Sequence, residues 1–126
     1  MHRWRAMICR TILCSAFLVL PSAALAQDAA LGEGATLRLL DRITGDLADV
    51  ELLNGQTAEL GQIKIALEAC RFPGGNPSGD AYAFLRVEDR ALQEEIFAGW
   101  MIASSPALNA MDHARYDVWV IRCKTS

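Results

Sequence analysis

Serine, histidine and aspartate residues that could perform acyl transfer lie close together near the end of this chain. Ser104 and Ser105 are followed by Asp112, His113 and Asp117. In such chemistry a serine attacks the acyl group, a histidine takes its proton and an aspartate orients the histidine. Neither serine lies in a Gly-x-Ser-x-Gly sequence, the turn that exposes the nucleophile of α/β-hydrolases. We therefore assign no catalytic residue and favour a protein that is not an enzyme, with a small serine hydrolase as the remotest alternative.

Aromatic side chains in the same part of the chain suggest binding instead. Trp100, Trp119, Tyr82 and Tyr116 could line a groove for a glycan or a peptide, because aromatic faces stack on sugars and anchor interfaces. Alternatively, both tryptophans are core residues of adjacent strands, and Met101 fills a gap in that core. The candidate residues for binding a ligand or a partner are Trp100, Met101, Ser104, Ser105, Leu108, His113 and Trp119.

A short helical segment is predicted between these aromatic residues. Ser105 is a residue type that caps helices, and Pro106 fits the first helical position. The apolar residues that follow, through Leu108 to Met111, allow one or two turns. This segment is interpreted either as a docking surface or as a plug that closes one end of a β core.

The first 26 residues predict a secretory signal peptide. Arg3, Arg5 and Arg10 precede an uncharged apolar run from residue 11 to residue 20, and Ala24-Leu25-Ala26 is a cleavage sequence. The run is shorter than the roughly 20 residues of a membrane-spanning helix. We therefore expect a periplasmic protein without a membrane span after cleavage, the alternative being an anchor that is never cleaved.

The charge after the signal peptide argues against some partners. All 15 acidic residues follow residue 26, together with 9 of the 12 basic ones, so the exported part has a net charge of −6 (9 − 15). Nucleic-acid binding needs clustered lysine and arginine. We expect no nucleic-acid partner. Two cysteines and one histidine after residue 26 are a poor metal-ligand set, so no metal and no cofactor is predicted.

The remaining residues predict a flexible leader at 27–34 and one β domain at 35–126. Short runs of alternating apolar and polar residues are separated by turn sequences, which is typical of an all-β fold. Asn54-Gly55 predicts a hairpin turn whose return strand is Thr57 to Leu60. The fold class is therefore a small antiparallel β-sandwich or barrel with one short helical segment.

Two cysteines remain in this domain, Cys70 and Cys123. An even pair in an oxidising compartment predicts one intramolecular disulfide. Two separate buried thiols, or a pair shared between two chains, are the alternatives.

The C-terminal half resembles a known family. The sequence from Phe97 through Gly99-Trp100-Met101 to Leu108, then His113, Tyr116-Asp117-Val118-Trp119-Val120 and Cys123, resembles the DUF2155 family of exported alphaproteobacterial proteins. Leu40-Asp41-Arg42-Ile43-Thr44-Gly45 and Ala69-Cys70 also match. The resemblance covers about residues 35–123. It implies an exported β domain with paired cysteines, and it carries no activity or catalytic residue, since the function of the family is unknown.

Three functions from different classes follow from these observations. The first is a non-catalytic periplasmic module of the cell envelope that binds another envelope protein. The second is a module that binds cell-wall glycan or a small ligand, which needs a concave pocket with aromatic walls. The third is the serine hydrolase described above.

Overall fold

Eight strands and one short 3₁₀ helix form the regular structure of the residues described below. The structure is a computed structural model, and it describes residues 15–19 and 28–125. The strands are β1 (Ala29–Leu31), β2 (Gly34–Asp41), β3 (Leu47–Leu53), β4 (Thr57–Leu60), β5 (Ile63–Pro73), β6 (Tyr82–Asp89), β7 (Glu94–Ile102) and β8 (Tyr116–Lys124), with the 3₁₀ helix at Pro106–Asn109. The predicted signal peptide and its cleavage site lie outside the described residues, except for residues 15–19, which form neither helix nor strand.

The strands form two antiparallel sheets. One has the order β1-β5-β6-β7, with β4 pairing on the same strand β5, and the other has the order β3-β2-β8. Apolar side chains of both sheets share one core, so the fold is a sandwich whose sheets do not close into a barrel. The all-β prediction is confirmed, with the sandwich as the form adopted.

Alternation along the strands decides which side chains enter this core. In β6, Leu85 and Val87 are fully buried, whereas Arg86 between them is exposed. In β8, Val118 and Val120 are buried, and Trp119 lies on the opposite, outer face. Successive strand residues point to opposite faces, so the period of two in the sequence translates directly into core and surface.

The predicted disulfide is confirmed and joins the two sheets. Cys70 in β5 bonds to Cys123 in β8, 53 residues further along the chain. Both cysteines are buried. The bond therefore fixes one sheet against the other at the end of the sandwich where β1 passes into β2.

The predicted hairpin at Asn54-Gly55 is wrong. β3 pairs with β2 in one sheet, whereas β4 pairs with β5 in the other, so the turn carries the chain across the sandwich. Gly55 N donates to Leu67 O of the facing sheet, at 2.7 Å. The turn residues fit a hairpin locally, but pairing with β5 lets Ala58 and Leu60 pack against the core.

Most of the segment expected to be a flexible leader, residues 27–34, lies in or between two strands. Ala29–Leu31 forms β1 on the edge of β5, and Gly34 already belongs to β2. Between these strands, Gly32 N donates to Cys70 O at 2.7 Å and Glu33 N donates to Lys124 O at 2.8 Å. Main-chain hydrogen bonds to both sheets hold these residues in place. The segment is too short for sequence periodicity to predict such bonds.

The predicted helical segment is a single 3₁₀ turn. Ser105 lies at the N-cap position and Pro106 begins the helix, as predicted, but the Ser105 side chain makes no capping hydrogen bond. No helix of the described residues is long and apolar enough to cross a membrane.

Candidate functional site

Trp100 and Trp119 lie on opposite outer faces of the sandwich. Trp100 in β7 stands edge-on against Phe84, with ring centroids 5.3 Å apart, and is 40% exposed. Trp119 is half-buried on the outer face of the three-stranded sheet. Tyr116 is a core residue. The aromatic residues therefore do not line one groove, and the two tryptophans do not sit on adjacent core strands either.

Trp119 lies between two adjoining hollows along the outer edge of β8. The larger has a volume of about 390 Å³ and the smaller about 240 Å³. Both are lined by Trp119 and Pro106. The larger is completed by Arg38, Leu47, Ala103, Val120 and Ile121, and the smaller by Arg42, Ala107, Ala110, Met111, Asp117 and Val118. We call the two hollows together the Trp119 seam.

One wall of the Trp119 seam is the segment 103–111, which is held in place from β7. Asn109 Nδ2 donates to Trp100 O at 2.9 Å. A Cβ atom at Gly99 would lie 2.7 Å from that same Nδ2, so a larger residue here would displace the Asn109 side chain from this hydrogen bond. Met111 is buried in the core, whereas Leu108 is 73% exposed. The segment thus plugs the sandwich with Met111 and presents Leu108 outward.

Ser104 anchors the beginning of this segment. Its Oγ donates to Asp80 Oδ2 at 2.5 Å, and its main-chain N donates to Asp80 Oδ1 at 2.9 Å. Burial raises the pKa of Asp80, but these hydrogen bonds and one from Ala81 N outweigh it, so the pKa lies below its usual value. Ser104 therefore ties β7 to the loop before β6.

His113 lies at one end of the sandwich, where its ring joins the end of β6 to the beginning of β8. Nε2 lies 2.9 Å from Asp89 Oδ2, and Nδ1 accepts hydrogen bonds from the main-chain N atoms of Arg115 and Tyr116, at 3.0 and 3.1 Å. Because Nδ1 accepts, the proton of the neutral ring is on Nε2 and is donated to Asp89. The hydrogen bond from His113 lowers the pKa of Asp89.

A second pair of charged residues closes the same end. The Arg115 guanidinium holds Asp41, with Nη2 2.8 Å from Oδ2, and lowers the pKa of that carboxyl to about 2. Arg42, next to Asp41, pairs with Asp117 at 3.0 Å. These contacts join the end of β2 and the residue after it to the start of β8 and the residue before it.

The serine and histidine residues considered for catalysis are engaged separately. Ser104 bonds to Asp80, whereas His113 bonds to Asp89 and to its own loop. Met101, another candidate residue, is part of the core. Within residues 15–19 and 28–125, no group of three histidine, cysteine or carboxylate side chains could hold a metal ion.

Sequence reasoning missed the residues that build this end of the sandwich, namely Asp41, Asp89 and Arg115. Asp89 had a signal: it continues the alternation of Leu85 and Val87 and therefore points towards the core. A carboxylate at an inward position needs a partner. Which partner it finds, however, depends on a loop 24 residues away.

Comparisons with known proteins agree with the earlier resemblance. Residues 35–123 match the family model "Uncharacterized protein conserved in bacteria (DUF2155)". The "Uncharacterized protein RP359" of Rickettsia prowazekii (strain Madrid E) is 28% identical over 87 residues, which cover 67% of this chain and 56% of the relative. The chain thus spans about half the length of the curated relative that it matches. No solved structure matches the chain significantly. The chain belongs to the DUF2155 family of uncharacterized bacterial proteins.

Proposed function

We propose that this protein is an exported, non-catalytic module of the bacterial envelope that binds another protein at the Trp119 seam. The observation that carries the proposal is the pair of adjoining hollows on either side of Trp119 and Pro106. The larger has the volume of a small-ligand pocket, enough for one or two apolar side chains of a partner.

The composition of the seam suits a protein interface. Its centre is apolar, and two arginine–carboxylate pairs lie at its rim, Arg38 with Asp49 at 2.8 Å and Arg42 with Asp117 at 3.0 Å. Protein interfaces commonly have an apolar, aromatic centre and a polar rim. Leu108 projects beside the seam and would enter a pocket of the partner.

Export is supported by the signal sequence and by the disulfide. The bond between Cys70 and Cys123 links the two sheets and requires an oxidising compartment to persist. A periplasmic location would expose the Trp119 seam to other envelope proteins.

The bonding of His113 supports a non-catalytic role. Both of its ring nitrogens are used within the fold, and the bond to Asp89 is largely buried. A general base must instead have a nitrogen free to reach a nucleophile.

In-cell crosslinking tests the proposal. A photo-reactive residue replaces Leu108 in the exported protein, alone and combined with Trp119→Ala or Trp100→Ala. We expect one recurrent adduct with an envelope protein, which Trp119→Ala abolishes and Trp100→Ala, on the opposite face, leaves unchanged. Recovery of free monomer only, or an adduct that survives Trp119→Ala in a folded variant, would overturn the proposal.

A glycan-binding module is the second candidate, and one observation favours it. Tyr82, Phe84 and Trp100 point to the same outer face of the larger sheet, where Trp100 is partly exposed. Aromatic side chains on a sheet face can stack on sugar rings. Titration of the purified domain with soluble peptidoglycan fragments tests this reading: a tryptophan fluorescence change lost in Trp100→Ala, but not in Trp119→Ala, would favour it over protein binding.

A further inference from the structure

The outer edges of β7 and β8 are both engaged by local groups. Trp100 O faces outward from β7 and accepts a hydrogen bond from Asn109 Nδ2. In β8, Val118 N donates to Asp117 Oδ1 at 3.0 Å, and the segment 103–111 lies alongside. A covering loop and side-chain hydrogen bonds are ordinary ways to protect a sheet edge.

Hydrogen bonds at the two ends of β3 establish which of its residues face β2. Asp41 N donates to Asp46 O at 3.0 Å, and Asn54 N donates to Glu33 O at 2.9 Å. Hydrogen-bonded pairs alternate along an antiparallel ladder. The two bonded pairs, Asp41 with Asp46 and Glu33 with Asn54, continue the register of β2 and β3 at its two ends. The even-numbered residues from 46 to 54 therefore direct their main-chain groups to β2.

The odd-numbered residues of β3 direct their main-chain groups to the outer edge. Leu53 N is satisfied there by Gln56 Oε1 at 2.9 Å. For Leu47, Asp49 and Glu51, no main-chain hydrogen bond on the outer side is present in the described part of the chain. β3 thus offers a run of open main-chain donors and acceptors, as an added strand requires.

The side chains of these residues define what such a strand must carry. Leu47 and Leu53, at the two ends, are 62% and 42% exposed. Between them lie the exposed carboxylates of Asp49 and Glu51, and the half-buried Val50 points towards the core. Both carboxylates already have a partner in the chain, Asp49 in Arg38 at 2.8 Å and Glu51 in Lys124 at 3.7 Å. A strand added beside β3 therefore places basic side chains next to the carboxylates on the outer face and apolar side chains next to Val50 on the core face.

Self-association at this edge is disfavoured by the same carboxylates. Pairing two β3 edges brings Asp49 or Glu51 of one copy close to those of the other, and like charges opposite each other destabilise a sheet. A basic partner is attracted by the net charge of −6 (9 − 15) that follows residue 26. It can share the two exposed carboxylates with Arg38 and Lys124, because exposed ion pairs contribute little to stability.

We infer that the outer edge of β3 accepts, as an additional strand, an extended segment of another protein in which basic and apolar residues alternate. This surface is separate from the Trp119 seam, except that Leu47 also lines the larger hollow. The inference does not depend on the seam being a binding site.

The test uses a short peptide of alternating valine and lysine, about as long as a typical strand, with ¹⁵N-labelled protein. We expect its addition to shift the amide signals of Leu47, Asp49 and Glu51. A peptide of alternating valine and glutamate, and the lysine peptide N-methylated at alternate residues, are expected to leave these signals unchanged.

A proline substitution separates strand addition from simple charge attraction. Glu51 directs its N–H outward, so Glu51→Pro removes an open donor without removing a bond to β2. We expect Glu51→Pro to weaken the binding of the lysine peptide at least about tenfold. The matched control Glu51→Gln removes only the charge and should weaken binding less. Val50→Pro removes a main-chain hydrogen bond to β2. Its loss of stability shows how strongly a missing hydrogen bond between β3 and β2 destabilises the domain.

Three results would overturn the inference. These are no shift of the β3 amides with the lysine peptide, equal binding of the N-methylated peptide, or shifts confined to the residues of the Trp119 seam. If Glu51→Pro does not fold, the comparison of the methylated and unmethylated peptides on the unaltered protein still decides the matter.

Discussion

Asp89 and His113 are joined by a hydrogen bond of 2.9 Å between Oδ2 and Nε2, and their side chains are only 4% and 13% exposed. The bond links the last residue of β6 to the loop before β8. The same carboxylate accepts from the main-chain N atoms of Ala91 and Leu92 through Oδ1. His113 is therefore best understood as an organiser of this end of the sandwich.

Replacing His113 should therefore reduce stability. His113→Ala leaves the main-chain N atoms of Arg115 and Tyr116 without their acceptor, and we expect the free energy of unfolding to fall by about 2 kcal/mol. His113→Asn should lose less stability than His113→Ala, because the asparagine side-chain oxygen can take the position of Nδ1. Urea unfolding of the three proteins measures the difference, and equal stability of all three would contradict the organising role.

The Asp41–Arg115 pair should make stability sensitive to acid. The pKa of Asp41 is lowered to about 2 in the folded protein, from 3.8. Its contribution is therefore complete above about pH 4 and is lost as the pH falls towards 2. We expect Arg115→Gln to be less stable than the unaltered protein at neutral pH and the two to converge near pH 2.

Unfolding in urea at several pH values tests this dependence. Arg86→Gln is the matched control, because Arg86 pairs with the exposed carboxylates of Glu68 and Glu95, and such pairs contribute little. A constant stability difference between Arg115→Gln and the unaltered protein from pH 6 to pH 2 would show that the pair is not the source of acid sensitivity.

Gly99→Ala should displace the Asn109 side chain. The new methyl group would lie 2.7 Å from Asn109 Nδ2, so the Asn109 side chain must leave its bond to Trp100 O. We expect a loss of about 1 kcal/mol, the contribution of one hydrogen bond. Ala98→Ser, on the neighbouring exposed position, should change stability by less than about 0.5 kcal/mol. The idea fails if the two variants have the same unfolding midpoint.

Loss of the disulfide should be the largest single effect. The bond closes a loop with a sequence separation of 53, which corresponds to about 4 kcal/mol in the chain-entropy model. We expect Cys70→Ser/Cys123→Ser to lower the melting temperature strongly under non-reducing conditions. A free-thiol assay on the unaltered protein is the control, and an unchanged melting temperature with no free thiol present would contradict the prediction.

The fold class was predictable because its causes are local. Alternation in β6 and β8 follows from the period of two in a strand, and the two cysteines that follow residue 26 allow one intramolecular pairing. The unusual sequence around Gly99 and Trp100 was sufficient to place the chain in its family, which the family match confirms.

Strand pairing and the surroundings of each side chain were decided only by the tertiary structure. Asn54-Gly55 has the local chemistry of a hairpin, yet β4 joins the other sheet, because burying Ala58 and Leu60 outweighs a local turn preference. His113 and Ser104 look like catalytic partners in the sequence, but each meets a carboxylate from a distant part of the chain. His113 bonds to Asp89 at the end of β6, and Ser104 bonds to Asp80 in the loop before β6. The sequence by itself thus determined composition, alternation and family, whereas contacts between distant segments decided which residues are buried, paired or open to a partner.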